Sequence, residues 1–482
     1  MWHTAGVSDE RARRAVVVGS GLAGLTCARE LAAAGWSVEV VSPGRAGRDG
    51  ATHRVHALAP WILLTAPWVR GDSPDRFMRD LAERGQGMAR EGLTDVLAGE
   101  AHRIARELVA DLDLVPLSEE PALLPGDDLP RGMRFLPRNK QVLLAPLLRQ
   151  CAALGVRTRE RSLAVGLLGG AGRIGGIVAF DRPSATVERI EADAVVLACG
   201  GSGAVFPIST VPRWCRGSGL ALASCAGALL HHPENTQALP VTATPPLFFP
   251  TTAVLLSGRI LVDGRELPAL ESLDAATVEV ARALLAGHSV VLDAGEGAAV
   301  LPRRAWDRAT FRDRGRVPLA VAAHHGVGGV AIDAWGRSSL PGLYACGEAA
   351  GGIQGRRRTM GTGLIEAKLF ASRTAQAVCR DARRPATAHA AAERHSPTFP
   401  QSARALERRL DELLGPLTAL RPIEAVEATW TELAAWPSDD RGPADQDSAL
   451  AGLRRQAALA MLAPSRRSAG AAPEVAARES AG

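Results

Sequence analysis

A glycine-rich hexapeptide near the start of the chain has the spacing of a dinucleotide-binding turn. Gly19, Gly21 and Gly24 follow the β-branched run 15–18 and precede a helical pattern that continues through Ala34. In such a turn the first glycine permits the tight reversal, the second lets the backbone approach a pyrophosphate, and the third lets helix and strand pack closely. The phosphates then lie at the positive end of the helix. The pattern predicts a strand-helix-strand unit that holds a dinucleotide.

Two further residues are candidates for contacting the sugars of that dinucleotide. The second strand, residues 37–41, ends at Ser42 where an acidic residue normally holds the ribose, so we expect the Ser42 hydroxyl to be a weaker substitute. Glu348 follows another strand pattern, and a carboxylate at a strand end can accept hydrogen bonds from sugar hydroxyls. The alternative for Glu348 is an ordinary surface carboxylate in a turn.

The composition is that of a globular protein with more than one structural unit. The chain has 482 residues, of which 46% are hydrophobic and 22% charged, and its formal net charge is +5. Arginines are spread among acidic residues and no nucleic-acid-binding motif accompanies them, which argues against nucleic acid as a partner. Seven scattered cysteines without a CxxC pair argue against a metal site or a disulfide framework. No apolar run is long enough for a membrane span and no leader pattern is visible, so we expect a cytoplasmic protein.

The segment 323–366 resembles the succinate dehydrogenase/fumarate reductase flavoprotein family. It reads AHHGVGGV, then GLYACGE, then GIQGRRRTMGTGLIE, which is similar to the family's AHYxxGGV, GLYAxGE and GLHGANRxASNSLLE. The GSGLAG turn, the GATH of residues 50–53 and the ACGGSG of residues 198–203 lie where the family has its other flavin-contacting loops. Within the family, the chain is most similar to the branch that oxidises aspartate.

The resemblance implies an α/β fold with a Rossmann-like FAD-binding domain, an inserted α+β capping domain and a C-terminal helical region. The expected boundaries are 1–232 and 323–382 for the two parts of the FAD-binding domain, 233–322 for the cap, 395–468 for the helical region and 469–482 for a disordered tail. Local patterns in the sequence also predict a hairpin at 166–192 and helices at 221–230 and 423–436.

The resemblance also implies non-covalent FAD. Ala51 stands where respiratory members keep the histidine that bonds to the flavin. The implied cofactor-binding residues are Gly19, Ser20, Gly21, Leu22, Ala23, Gly24, Ser42, Ala51, Thr52, Gly200, Gly201, Ser218, Gly347, Glu348, Gly363 and Leu364. The helix that begins near Leu364 would place its positive end toward the flavin ring.

The implied substrate residues are Arg358, His324 and Asn235. Arg358 corresponds to the arginine of the family's ANR, and a planar guanidinium pairs both oxygens of a carboxylate. The alternative is a solvated arginine in the run 356–358. Asn235 stands where we place the histidine of the family's FHPT segment, which weakens an anion contact.

Other family positions have also changed. The Thr-Glu pair falls on Thr251 and Thr252, and the AQGG segment near the flavin becomes residues 55–58. The family's cap carries an arginine that transfers a proton. Depending on which flanking segment is used to align the chain, that arginine falls on Leu273 or Thr277, and neither residue can transfer a proton in its place. The cap arginines Arg259, Arg265 and Arg282 remain as substitutes.

The resemblance therefore implies an FAD-dependent oxidoreductase whose substrate is a small dicarboxylate or amino acid. Its expected reaction is oxidation of L-aspartate to iminosuccinate, with O2 or fumarate reoxidising the flavin, in pyridine nucleotide (NAD) biosynthesis. A pathway enzyme that takes up the product is then an expected partner. The alternatives are a diverged paralogue that oxidises or reduces another small carboxylate, and a catalytically impaired FAD-binding protein.

Overall fold

The computed structural model describes residues 12–53, 61–124, 127–138, 143–170, 172–243, 258–268, 272–293, 316–382, 393–395, 399–414, 431–439, 443 and 445–463. The strands, in chain order, are β1 (Arg14–Val18), β2 (Ser37–Val41), β3 (Ile62–Thr65), β4 (Leu114–Pro116), β5 (Gly132–Pro137), β6 (Arg157–Arg159), β7 (Ser162–Gly170), β8 (Arg173–Asp181), β9 (Thr186–Glu191), β10 (Ala194–Leu197), β11 (Leu230–His231), β12 (Thr236–Thr242), β13 (Arg259–Val262), β14 (Arg265–Glu266), β15 (Val290–Asp293), β16 (Arg316–Gly326), β17 (Gly329–Ala331), β18 (Leu343–Ala345), β19 (Ala350–Gly351), β20 (Glu393–His395), β21 (Phe399–Pro400) and β22 (Ser438–Asp439). The α-helices are α1 (Leu22–Ala33), α2 (Pro74–Gly85), α3 (Glu91–Asp111), α4 (Ala145–Ala153), α5 (Ser218–Cys225), α6 (Leu273–Leu285), α7 (Gly363–Asp381), α8 (Ala403–Leu414) and α9 (Gln446–Leu462).

A parallel five-stranded sheet, in the order β18-β10-β1-β2-β6, forms the centre of the molecule. The central strands β1, from Ala15 onward, and β10 are continuous buried apolar runs, as is usual where both faces of a parallel sheet are covered. Helices α1 and α7 pack against each other beside this sheet. The sequence prediction of an α/β fold with a Rossmann-like strand-helix-strand unit is confirmed.

An antiparallel sheet, in the order β20-β7-β8-β9, contacts the parallel sheet through β8 and β10. The sequence predicted its hairpin at 166–192, and the pairing of β7 with β8 and β9 agrees with this. The predicted helix 221–230 is wrong at its end, because α5 stops at Cys225. Gly227 follows with φ +78°, a conformation that favours glycine, and the chain then enters β11.

The described residues between 239 and 321 form a hydrophobic core of their own. It is formed by one face of α6 against the antiparallel sheet β12-β16-β15-β13-β14, with Val280 and Leu292 fully buried. The Ser272 hydroxyl accepts a hydrogen bond from the Ala275 N–H and caps α6. This separate core supports an inserted capping unit, and the boundaries 233–322 stay a prediction.

The C-terminal helices pack on the main core and not on the cap. Leu406 and Leu410 of α8 and Ala457 of α9 belong to the large buried cluster around the parallel sheet. Arg454 fixes α9 to the FAD-binding part, because its Nε donates to the Val205 carbonyl at 2.9 Å. The expected helix 423–436 and the expected tail after residue 468 lie mostly or wholly outside the described residues. None of the helices in the described ranges is long and apolar enough to cross a bilayer.

Candidate functional site

One elongated cavity opens at the carboxyl ends of β1, β2, β10 and β18, where ligands bind in doubly wound sheets. It is lined by fourteen of the sixteen cofactor-binding residues that the sequence implied: Gly19, Ser20, Gly21, Leu22, Ala23, Ser42, Ala51, Thr52, Gly200, Ser218, Gly347, Glu348, Gly363 and Leu364. Arg358, His324 and His325 line the same cavity. Dinucleotide loops and substrate candidates are therefore brought together, while their individual contacts stay predictions.

The three glycines of the first turn have different local roles. A Cβ on Gly19, whose φ is +115°, would lie 2.2 Å from the Ala198 carbonyl oxygen, and one on Gly24 would lie 2.0 Å from the Gly19 oxygen. These two glycines allow α1 to pack against the sheet. A Cβ on Gly21 would meet only the Thr52 hydroxyl, at 3.4 Å, so the room beside Gly21 belongs to the cavity.

The start of α1 is suited to an anion. Gly21 caps the helix without a side chain, and the first turn carries no acidic residue. The Leu22 N–H donates to the Thr52 hydroxyl at 3.3 Å. The open cradle at Gly21 and the helix dipole together fit a pyrophosphate group. Two of the implied cofactor-binding residues, Gly24 and Gly201, do not line the cavity. Gly24 packs against the glycine turn, and Gly201 packs against the Glu348 carboxylate, which a Cβ at position 201 would meet.

The ribose end contains an acid that sequence reasoning missed. Ser42 and Ser20 share a hydrogen bond of 2.7 Å between their hydroxyls, and both line the cavity. Asp49 also lines it, and its Oδ2 accepts the Arg45 N–H at 2.8 Å. Asp49 is thus a candidate for the ribose acceptor that β2 lacks. The sequence gave no signal for Asp49, because it lies seven residues after Ser42 and only the intervening turn returns it to the cavity.

Arg358 is the cationic side chain among the described residues that line the cavity. Its Nη1 donates to the Gln237 side-chain oxygen at 3.3 Å, while its buried Nε has no hydrogen-bond partner among the described residues. Burial lowers the pKa of Arg358, and Glu366 and Glu348 oppose that effect. No other arginine or lysine lines the cavity in the part of the chain that the structure describes. A partly unsatisfied guanidinium in a cavity is suited to bind a carboxylate.

The histidines and the glutamate beside Arg358 are held in fixed positions. His324 Nδ1 lies 2.8 Å from the Thr210 hydroxyl, and burial, aided by Arg358, lowers the pKa of His324 to about 3. Glu348 Oε1 accepts the Gly326 N–H at 2.8 Å, and burial raises the pKa of Glu348 to about 7. Both histidines are therefore neutral at physiological pH, since burial and Arg358 also lower the pKa of His325.

Asn235 is not among the residues that line the cavity. Its side-chain amide donates to the Gly355 carbonyl at 3.0 Å, and its own carbonyl accepts from Val327 and Gly328. Asn235 therefore ties the start of the cap to the loop that carries Arg358. The residue of this segment that does reach Arg358 is Gln237, which the sequence did not single out.

The cap positions also lie apart from the cavity lining. Thr277 donates its hydroxyl to the Leu273 carbonyl at 2.7 Å inside α6, and Leu273 is buried. Of the suggested substitutes, Arg282 pairs with Glu279 and Arg259 with Asp293. Thr251, Thr252 and residues 55–58 lie outside the described residues.

This fold and this cavity define a dinucleotide-binding flavoprotein of the α/β class. Residues 14–364 match the family model described as FAD binding domain. The chain is 30% identical over 417 residues to an L-aspartate oxidase of Caulobacter vibrioides, with 76% of each chain covered. It is 32% identical over 425 residues to one of Streptomyces coelicolor, covering 79% of this chain and 70% of that protein. An E. coli quinol fumarate reductase structure has the same fold, with a TM-score of 0.75, 17% identity, and coverage of 94% of this chain and 88% of its own.

The chain belongs to the FAD-binding flavoprotein family that includes the L-aspartate oxidases and fumarate reductases. It is an FAD-dependent oxidoreductase, which confirms the cofactor and enzyme class predicted from the sequence.

Proposed function

We propose that this protein oxidises L-aspartate to iminosuccinate in the cytoplasm, supplying pyridine nucleotide biosynthesis. The observation that carries the proposal is Arg358, whose guanidinium lies in the FAD cavity with a buried Nε that lacks a hydrogen-bond partner among the described residues. The L-aspartate oxidases at about 30% identity support the choice of substrate.

The residues around the cavity fit FAD. Gly21 and the first amides of α1 would hold the pyrophosphate, Asp49 and Ser42 the ribose, and Glu348 further hydroxyls. When bound there, FAD supplies the oxidant that accepts a hydride from the substrate carbon.

The protein side chains would orient the substrate. Arg358 can form two parallel charge-assisted hydrogen bonds to one carboxylate, which fixes the substrate in plane. Gln237 braces the guanidinium at Nη1. His324 is kept neutral and is oriented by Thr210, so it contributes hydrogen bonding and not charge. Together these groups hold the Cα–H bond in a defined orientation, which is a large part of catalysis in such sites.

A second candidate is oxidation or reduction of another small carboxylate. The observation that favours it is the sequence of the cap helix α6, in which Leu273 or Thr277, depending on the alignment, stands where we place the family's proton-transferring arginine. A catalytically impaired FAD-binding protein is the further alternative. The substrate profile separates these functions.

Incubation of the FAD-loaded protein with L-aspartate in air is expected to release ammonia and hydrogen peroxide in equal amounts, because iminosuccinate hydrolyses to oxaloacetate and ammonia. D-Aspartate, L-glutamate and succinate are the matched controls, and fumarate replaces O2 in an anaerobic repeat. Ammonia release only from L-aspartate supports the proposal. Turnover of a different carboxylate supports the second candidate, and no turnover with any compound supports the impaired protein.

A further inference from the structure

We propose that His325 accepts the proton of the substrate's α-ammonium group and so prepares the amine for oxidation. This inference rests on the proposed function, since it concerns an amino-acid substrate in the same cavity. His325 occupies the position of the tyrosine in the family's AHYxxGGV motif. The change replaces a phenol with an imidazole, whose neutral form carries a basic ring nitrogen.

The position of His325 is set by the strand that carries it. It lies near the end of β16, directly opposite Gln237 of β12, so the residue that braces Arg358 and the proposed base are cross-strand neighbours. Its ring lines the cavity together with Arg358. A Cβ placed on Gly363 would lie 2.4 Å from Arg358 Nη2 and 3.6 Å from His325 Cε1, so both side chains meet at the start of α7.

The Glu348 carboxyl group lies beside the imidazole of His325. Its Oε2 lies 3.5 Å from His325 Nδ1, while its Oε1 is fixed by the N–H of Gly326, the next residue along β16. With Nδ1 turned to the carboxyl group, Nε2 is the nitrogen that can meet a ligand in the cavity. A hydrogen bond from Nδ1–H to this carboxyl group, formed if the pair closes from 3.5 Å, would set the tautomer and leave Nε2 as the basic nitrogen.

The charges around His325 favour a neutral ring before the substrate arrives. Three titratable or charged groups lie near His325: Arg358 from the loop before α7, His324 from the same strand and Glu348 from the turn after β18. Burial and the positive charge of Arg358 lower the pKa of His325 well below its usual value. A substrate carboxylate on Arg358 would cancel that positive charge, which makes the imidazolium form easier to reach.

The proposed step balances in protons and electrons. One N–H bond of the ammonium group breaks and an N–H bond forms at His325 Nε2, so the amine becomes neutral and the ring becomes cationic. FAD held in the cavity would supply the acceptor for the hydrogen of the Cα–H bond and its two electrons. The nitrogen lone pair would form the C=N bond, so the substrate would be oxidised by two electrons to the iminium.

Nitrogen-15 NMR of histidine-labelled, FAD-loaded protein tests the proton transfer directly. α-Methyl-aspartate carries the ammonium group but has no Cα–H, so it binds without being oxidised, and succinate is its matched control without an ammonium group. We expect the His325 resonances, assigned with His325→Asn, to move to imidazolium positions with α-methyl-aspartate and to stay neutral with succinate. Neutral His325 resonances with α-methyl-aspartate bound would overturn the inference and leave the proposed function intact.

Kinetics of flavin reduction provide the second readout. His325→Asn is expected to slow reduction by L-aspartate about 10²-fold to 10⁴-fold at neutral pH, the usual contribution of a general base. The rate of this variant should then rise about tenfold per pH unit, because the fraction of unprotonated amine in solution rises by that factor. The exposed His232, at a φ of 40° that asparagine tolerates, gives the control His232→Asn, which should behave as wild type. A slow His325→Asn variant with a flat pH profile would assign His325 a structural role and reject it as the base.

Discussion

Replacing Arg358 with alanine is expected to slow reduction of bound FAD by L-aspartate by about 10²-fold to 10³-fold while FAD stays bound. Two hydrogen bonds from a charged group to the substrate carboxylate would be lost, at about 1.5–2 kcal/mol each, and 1.4 kcal/mol corresponds to a factor of ten. Stopped-flow absorbance under anaerobic conditions measures the rate, and the ratio of flavin to protein absorbance measures the occupancy.

Two variants separate a substrate contact from a general effect of charge. Arg358→Lys keeps the charge but loses the planar fork, and we expect it to recover only part of the rate. Arg356→Ala removes an exposed arginine of the same run, which should leave the rate unchanged. An Arg358→Ala variant that is reduced as fast as wild type would remove this residue from the substrate site.

The second large effect is expected from Gly21→Val, which should produce a folded protein without FAD. The backbone of Gly21 is extended, with φ −76° and ψ −171°, so valine is accommodated there. The methyl groups of the valine would occupy the space where the pyrophosphate is expected to bind. Losing two or more amide-phosphate hydrogen bonds weakens binding by about 10³-fold at about 2 kcal/mol each. Binding is measured by adding FAD to the deflavinated protein.

The matched control is Gly99→Val, on an exposed position of α3 where a Cβ meets no atom within 4 Å. It should bind FAD as the wild type does, and circular dichroism should show the same secondary structure in both variants. By contrast, Gly19→Ala places a Cβ against the Ala198 backbone and should impair folding itself. A yellow, fully loaded Gly21→Val protein would contradict the assignment of this glycine to the pyrophosphate.

Local sequence patterns predicted the elements that hold the dinucleotide. The sequence predicted three of these elements: the strand 15–18, the glycine turn and the strand 37–41. Each combines a clear periodicity with a residue type that only one local structure favours. The helices α2, α3 and α4 were not predicted. The helix 221–230 was extended too far, since apolar residues continue past Gly227 and the change to β11 depends on pairing with β17.

The substrate end of the site was less accessible from the sequence. Arg358 and His324 were found through a motif of about forty residues, and the structure places both in the cavity. Gln237 and Asp49 were missed because their roles depend on cross-strand register and on the return of a turn. Asn235 was assigned by counting along the chain, and it lies just before β12, two residues from Gln237, whose side chain accepts a hydrogen bond from Arg358.

The central claim is that a single cavity holds FAD and presents Arg358 to L-aspartate. The visible spectrum of the FAD-loaded protein, recorded without oxygen before and after addition of L-aspartate, tests it most directly. We expect the flavin band to bleach fully and to return when O2 or fumarate is admitted. A fully loaded protein whose flavin band stays unchanged with L-aspartate would contradict the claim.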